Sequence, residues 1–581
     1  MSNASHGDSL FLCHYPGSPC SRRVQITLIE KGIDWSDVHI DLSRMEQRHP
    51  AYLQINPNGL VPTLVHNGQV LWESNVITRY LDDVFPQHRL YPDDAAQLQA
   101  VREWQAAEQA MARDFRPLMY QRLMGPILRL TQTLEQALDK VRMVTSDPAD
   151  LEWEEKVWSL AVIDAAEERR LEKNLLAWLD RVEVALAETG FLVSDQFSQA
   201  EISLYPRISM YPWIGLAISE QRYPHTRDWL QRMSQRFSFR QTLTDQDKAL
   251  SRLSRSPLLP WLRRVLPARE QQALPVQWML NVVGAIMTRA KERSAPAQPP
   301  LLQRLGPLEQ VIAAANQESI RSPAVRKRAA LSGDIILWGN MWQPETVRLH
   351  QLLNALQLPF SFHSVDIARM EHVSATFCNL YPGATLPLLK IGKQYLADEA
   401  QAAEAVMTIA GAREMAGFWL PDDALSLARM RMWLAFDAAM HKEAQPLMWL
   451  RKVRPYLQSF GVNADNMHGW VASDVGPEAR DFLASVLDGS LRVDLGERNA
   501  ERRLEKKMNA VCARIAGSGY LLGAKPCYAD LALKTRIDSL ADIGVQPSEG
   551  YAEIVACWRE AIDVLSEPSL LPTTAAGASH E

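Results

Sequence analysis

The chain has 581 residues, 47% of them hydrophobic and 22% charged, with a formal net charge of -6. That length is too great for one compact core and predicts several domains. The mild acidity gives no general reason to expect nucleic-acid or membrane binding, and no apolar run approaches the roughly 18 residues that span a bilayer. Six cysteines (Cys13, Cys20, Cys378, Cys512, Cys527, Cys557) are scattered without a Cys-x-x-Cys or zinc-like spacing. No metal site and a reducing, cytoplasmic setting are therefore expected. The polar stretch Met1–Ser9 lacks the charged-then-apolar pattern of a secretory leader.

Residues 10–85 alternate strand and helix signals. LFLCH (10–14) reads as a strand, YPGSPCS as a loop, and RRVQITLIEKG (22–32) as a helix stopped by Gly32. DWSDVHID (34–41) reads as a second strand, completing a βαβ unit. VPTLV and QVLW flank Asn67-Gly68, a pair suited to a two-residue type I′ hairpin. A helix over about 75–85 is opened by Ser74 and closed by Pro86. From Pro92 to about Arg240 the pattern is helical, with Trp104, Phe115, Trp158, Leu171, Leu175 and Trp178 read as core and Ser198–Ile202 as a capping box.

Three joined features carry a resemblance: GSPCSRRV in the first loop, NPNGLVPTL at 56–64, and WESNVITRYL at 72–81. In this order and spacing they resemble the glutathione-transferase superfamily, most of all the bacterial β-aryl-etherase-like and serine-type (zeta, theta) members. The resemblance implies a thioredoxin-like domain followed by an all-helical domain, with glutathione as co-substrate. It implies that Ser18 activates the glutathione thiol. It also implies a cis Val61-Pro62 whose valine backbone pairs with the cysteinyl amide, and a γ-glutamyl group held at Glu73-Ser74. Lowering a thiol pKa by two units requires about 2.7 kcal/mol of preference for the thiolate.

Two readings compete at the loop: Ser21 as the helix cap with Ser18 an ordinary loop serine, or Cys20 as the reactive group in a thiol-transferase-like reaction. Leu60 stands where many members carry a basic residue or glutamine for the glycyl carboxylate, leaving Arg44 to His49 as substitutes. Met111, Phe115, Tyr120 and Trp213 are candidates for the electrophile pocket, and core packing explains each equally well. Resemblance to the polymerase-associated stringent-starvation branch keeps a non-catalytic interaction role as an alternative. Resemblance to the zeta branch keeps glutathione-dependent isomerisation.

The second half repeats the first. An offset of 325 aligns Pro19 with Pro344, Arg44-Met45-Glu46 with Arg369-Met370-Glu371, and Val61-Pro62 with Leu386-Pro387. An offset of 329 aligns Pro92 with Pro421, Trp104 with Trp433, and Pro117-Leu118-Met119 with Pro446-Leu447-Met448. At the site, Ser18 becomes Gln343 and Glu73-Ser74 becomes Asp398-Glu399, a second negative charge expected to repel a carboxylate. Ser198 becomes Cys527, a weaker cap.

The expected fold is thus α/β plus all-α: two copies of a thioredoxin-like domain, each followed by a helical domain. The expected divisions are 8–87, 92–245, 333–412 and 419–570, with a basic, Pro-rich linker over 246–332 and a disordered tail over 571–581. Residues 251–330 hold 13 Lys/Arg against 4 Asp/Glu. The preferred reading of this segment is a linker packing against both halves, the rival a weak contact with a membrane surface; no nucleic acid is expected. The expected function is attack of a glutathione thiolate on a small hydrophobic electrophile, by conjugation or by ether or halide displacement. The second copy is expected to be structural, within an internal pseudo-dimer or a homodimer.

Overall fold

The computed structural model describes residues 9–145, 147–294, 299–315, 331–409, 419–493 and 496–566. The chain divides into two compact units, Met1–Arg321 and Ser322–Glu581.

In the first unit, β1 (Leu10–His14), β2 (Ser36–His39), β3 (Thr63–His66) and β4 (Gln69–Trp72) form one sheet in the order β2-β1-β3-β4. β1 runs parallel to β2 and antiparallel to β3. The β3–β4 turn has positive φ at both Asn67 and Gly68, as a type I′ turn requires. Helices α1 (Pro19–Glu30) and α2 (Pro50–Ile55) join the strands, and α3 (Ser74–Val84) follows β4. The second strand is four residues shorter than its sequence signal, because only Ser36–His39 finds a partner in β1.

α4 (Ala95–Met119) runs into a π turn at Tyr120–Met124 just past Pro117, whose missing N–H breaks the regular ladder. Helices Ala165–Thr189 and Gln199–Ile208 pack on α4 around a core holding Phe115, Leu175, Tyr211 and Trp229. The Ser198–Glu201 capping box forms as the pattern predicts.

The segment read as a linker differs from expectation. Its described residues fold as helices Asp245–Arg255, Leu258–Val265, Leu274–Ser294 and Leu301–Ala315, and they belong to the first unit. Pro257, Pro260 and Pro275 lie at the starts of these helices, and Pro299 and Pro300 directly precede one. There an absent N–H costs little, so a proline cluster does not signal a spacer. Leu301–Ala315 packs across one face of the sheet beside α2, burying Leu305 and Leu308 against Val38, Tyr52 and Val65. Each fully buried leucine contributes about 1.5–3 kcal/mol. Arg304 ties the helix to Glu46 at 2.6 Å. The rest of the expected linker, 316–330, and the tail over 571–581 lie outside the described residues.

The second unit repeats the plan. β5 (Ile335–Gly339), β6 (Ser361–Ser364), β7 (Leu388–Ile391) and β8 (Gln394–Leu396) take the order β6-β5-β7-β8. A 25-residue helix, Ala424–Met448, again carries a proline, Pro446, and again runs into a π turn, Trp449–Val453. Two four-stranded sheets of one topology, each followed by the same interrupted helix, are the duplication in three dimensions.

Candidate active site

Strand register brings the separate motifs to one end of the first sheet. Thr63, at the start of β3, pairs with Cys13 near the end of β1 and with Trp72 at the end of β4. The loop entering α1, the Val61-Pro62 step and Glu73-Ser74 therefore all leave from that end. Val61-Pro62 is cis.

Ser18 is the N-cap of α1. Its Oγ accepts from the Ser21 N–H at 3.3 Å, and Pro19 takes the first helical position. Ser21, the rival cap, lies buried in the first turn and accepts from the Tyr15 N–H at 3.3 Å. Accepting with oxygen leaves the Ser18 proton available, at the positive end of a 12-residue helix. Burial pushes the Cys20 thiol above its usual range, with Glu108 adding to the rise. A thiol held protonated is a poor nucleophile, which counts against the thiol-transferase alternative.

Ser74 is the first residue of α3 rather than its cap. Glu73 takes the cap position with φ 71 and makes no side-chain cap bond, so the expectation that Ser74 caps the helix is corrected. Ser74 Oγ instead accepts from Arg23 Nη1 at 2.9 Å. Arg23, 1% exposed, also donates to the Ser203 carbonyl and pairs with Glu108, which pairs with Arg207 at 3.0 Å. Burial alone would raise the Glu108 carboxyl, but the two guanidinium groups hold it below the usual carboxylate value. This triad bolts α1 to α4 and to Gln199–Ile208 directly behind Ser74. Sequence reading missed it because its members are far apart along the chain. The available signal was their recurrence as Arg348, Asp437 and Arg536 at the repeat offsets.

Of the basic candidates for the glycyl carboxylate, Arg44 points to solvent, with its side chain 75% exposed, and pairs with Asp41. Arg48 borders the loop before Val61: a Cβ added at Gly59 would stand 3.2 Å from its Nη1. Its Nε lies 3.8 Å from Asp150. Among the candidates for the electrophile pocket, Met111, Phe115 and Trp213 are buried core residues, and Phe115 stacks on Tyr211. Tyr120 is half-buried and meets Trp153 edge-on at 5.2 Å.

The second unit keeps the frame and changes the contents. Leu386-Pro387 is cis, but Gln343 at the cap of Pro344–Ala355 makes no side-chain cap bond. The expected repulsion at Asp398-Glu399 is corrected, because neither carboxylate is left facing a ligand alone. Asp398 caps the helix Glu399–Thr408 by accepting from the Gln401 N–H at 2.9 Å. Glu399 turns inward and takes Arg348 with both oxygens, at 2.9 and 2.7 Å, while Tyr528 donates to it as well. Asp398 thus takes a first-turn amide and Glu399 takes the buried arginine.

Residues 17–84 match the family model for the glutathione S-transferase N-terminal domain, and residues 148–236 match that for the C-terminal domain. The first unit belongs to the glutathione S-transferase superfamily. Protein LigF of Sphingobium sp. is 44% identical over 80 residues, 13% of this chain and 31% of that protein. A zeta-class glutathione S-transferase of Euphorbia esula is 42% identical over 85 residues, 15% of this chain and 38% of that protein. The alignments thus span less than two fifths of either relative. A crystal structure of the beta-etherase LigF covers 40% of this chain and 98% of its own, at 23% identity and a TM-score of 0.37. Among the described residues no cluster of His, Cys, Asp or Glu is arranged to hold a metal, and no helix is long and apolar enough to cross a membrane.

Proposed function

We propose that the first unit of this glutathione S-transferase superfamily chain is a glutathione-dependent transferase. The observation that carries the reading is the convergence of Ser18, Val61-Pro62 and Glu73-Ser74 at one sheet end. The Ser18 hydroxyl donates to the glutathione sulfur, and the α1 N-terminus adds a favourable dipole to the thiolate. The Val61 backbone pairs with the cysteinyl amide. The γ-glutamyl carboxylate accepts from the Ser74 hydroxyl and the first amides of α3, and Glu73 receives the ammonium. Arg23, fixed by Glu108, holds Ser74 in place from behind. Arg48 is the basic group that borders the glycyl end.

The thiolate then attacks an electrophilic carbon of a small hydrophobic substrate. The carbon–sulfur bond forms as the bond to the leaving group breaks, and the leaving group departs with the electron pair. The second unit, its helix start already capped by Asp398, has a non-catalytic role.

Titration calorimetry with glutathione and turnover of glutathione with 1-chloro-2,4-dinitrobenzene test the reading. One glutathione per chain is expected, with turnover lowered about a hundredfold in Ser18→Ala and binding weakened in Ser74→Ala. A chain that neither binds glutathione nor consumes it with such electrophiles overturns the proposal.

A further inference from the structure

A cavity of about 420 Å³ opens in the second unit. It lies between the turn Glu371–Val373, the end of helix Ala424–Met448 with its π turn, and the start of helix Pro477–Asp488. Its walls include Met370, His372, Val373, Trp449, Ala479 and Phe482. Trp449 and Phe482 meet edge-on, with centroids 5.2 Å apart.

The first unit shows what has been removed. The matching aromatic pair, Tyr120 and Trp153, has the same 5.2 Å edge-on geometry. There, however, the Arg116 guanidinium lies 5.8 Å from each ring, and Arg48 faces Asp150 across the gap at 3.8 Å. At the repeat offsets Arg116 becomes Gln445, Arg48 becomes Val373 and Asp150 becomes Ala479. Three charged side chains have been replaced by neutral ones while the aromatic walls are retained. A cavity of this size with aromatic and aliphatic walls falls in the range of small-molecule sites.

The polar groups narrow the ligand. His372 lines the cavity where the first unit has Gln47, and its buried Nδ1 has no hydrogen-bond partner among the described residues. Burial lowers its pKa to about 4, so the imidazole is neutral at physiological pH and offers no charge to an anion. Glu478 on the lining opposes anions further. A neutral molecule with an aromatic face for Trp449 and Phe482 and one hydroxyl for the imidazole fits these constraints. We propose that this cavity of the second unit binds a small neutral hydroxylated aromatic molecule, held between the Trp449–Phe482 walls and hydrogen-bonded by His372. The inference rests on the second unit alone and is independent of the glutathione reading.

The test is titration calorimetry of the full chain with 2-naphthol, with S-methylglutathione present throughout to occupy a glutathione site. One 2-naphthol per chain is expected. Ala479→Phe, which fills the cavity, should weaken binding at least tenfold. The double variant Val373→Arg/Ala479→Asp, which restores the ion pair of the first unit, should do the same while circular dichroism stays unchanged. It also serves as the deciding variant if Ala479→Phe does not fold. His372→Leu should weaken 2-naphthol about tenfold and leave 2-methylnaphthalene binding unaltered. No binding by the natural chain, or equal binding by the folded cavity variants, overturns the proposal. Equal loss of both probes in His372→Leu overturns the hydrogen bond assigned to the imidazole.

Discussion

The buried arginine of the first helix does different work in the two units. In the first, Arg23 spends one donor on the Ser74 hydroxyl and leaves the start of α3 without a side-chain cap. In the second, Arg348 is closed off by both oxygens of Glu399 and by Asp437, and Asp398 caps the helix start. One position thus separates a helix start whose serine is held by an arginine from one capped and ion-paired by the chain's own carboxylates. The extra charge at Glu399 is absorbed into an ion network that also takes in Glu345 and Arg536.

The sharpest way to break this comparison is to remove the anion beneath each arginine. Glu108→Ala strands Arg23 and Arg207 in the interior and should destabilise the first unit by about 3–5 kcal/mol in calorimetric unfolding. Glu399→Ala should cost the second unit less, because Arg348 keeps Asp437. Next in size is the thiol-activating contact. Ser18→Ala should lower kcat/KM for glutathione conjugation about a hundredfold, the equivalent of about 2.7 kcal/mol. Gln343→Ser in the second unit should leave that rate unchanged. Ser74→Ala should raise the glutathione KM roughly tenfold, about 1.4 kcal/mol, with kcat nearly constant.

The helix caps offer a smaller contrast. Ser198→Ala should cost about 1 kcal/mol of first-unit stability in a thermal melt. Cys527→Ser should raise the melting temperature of the second unit, since a hydroxyl accepts better than a sulfur there. The smallest effect is a slope in pH. The Glu108 carboxyl is depressed in the folded state, so its contribution is fully present above its unfolded value near 4.5 and is lost as pH falls through the folded value. Glu108→Gln should therefore flatten the fall in melting temperature of the first unit on acidification below pH 4.5.

Much of the scaffold was legible in the residues. Asn67-Gly68, the Ser198–Glu201 box and the alternation over 10–85 are local signals, in which each residue constrains its neighbours through φ, capping or strand period. The repeat offsets made the second sheet legible by the same signals. Less legible was the segment 246–315, where prolines that look like spacers in a string are helix starts once the chain is folded. Ser74 misled in a milder way, since a serine before an apolar helix reads as a cap whether it stands outside the first turn or within it.

The sequence by itself determined the order of strands and helices in the sheet domains and the duplication. Those follow from short-range stereochemistry and from repetition. Only the tertiary structure decided that Arg23, Glu108 and Arg207 stand behind Ser74, and that Glu399 turns inward instead of repelling a ligand. It alone decided that Trp449 and Phe482 meet edge-on at the wall of a cavity in the second unit. These are contacts between residues far apart in the chain, and their geometry is set by how helices pack on a sheet, which no local pattern encodes.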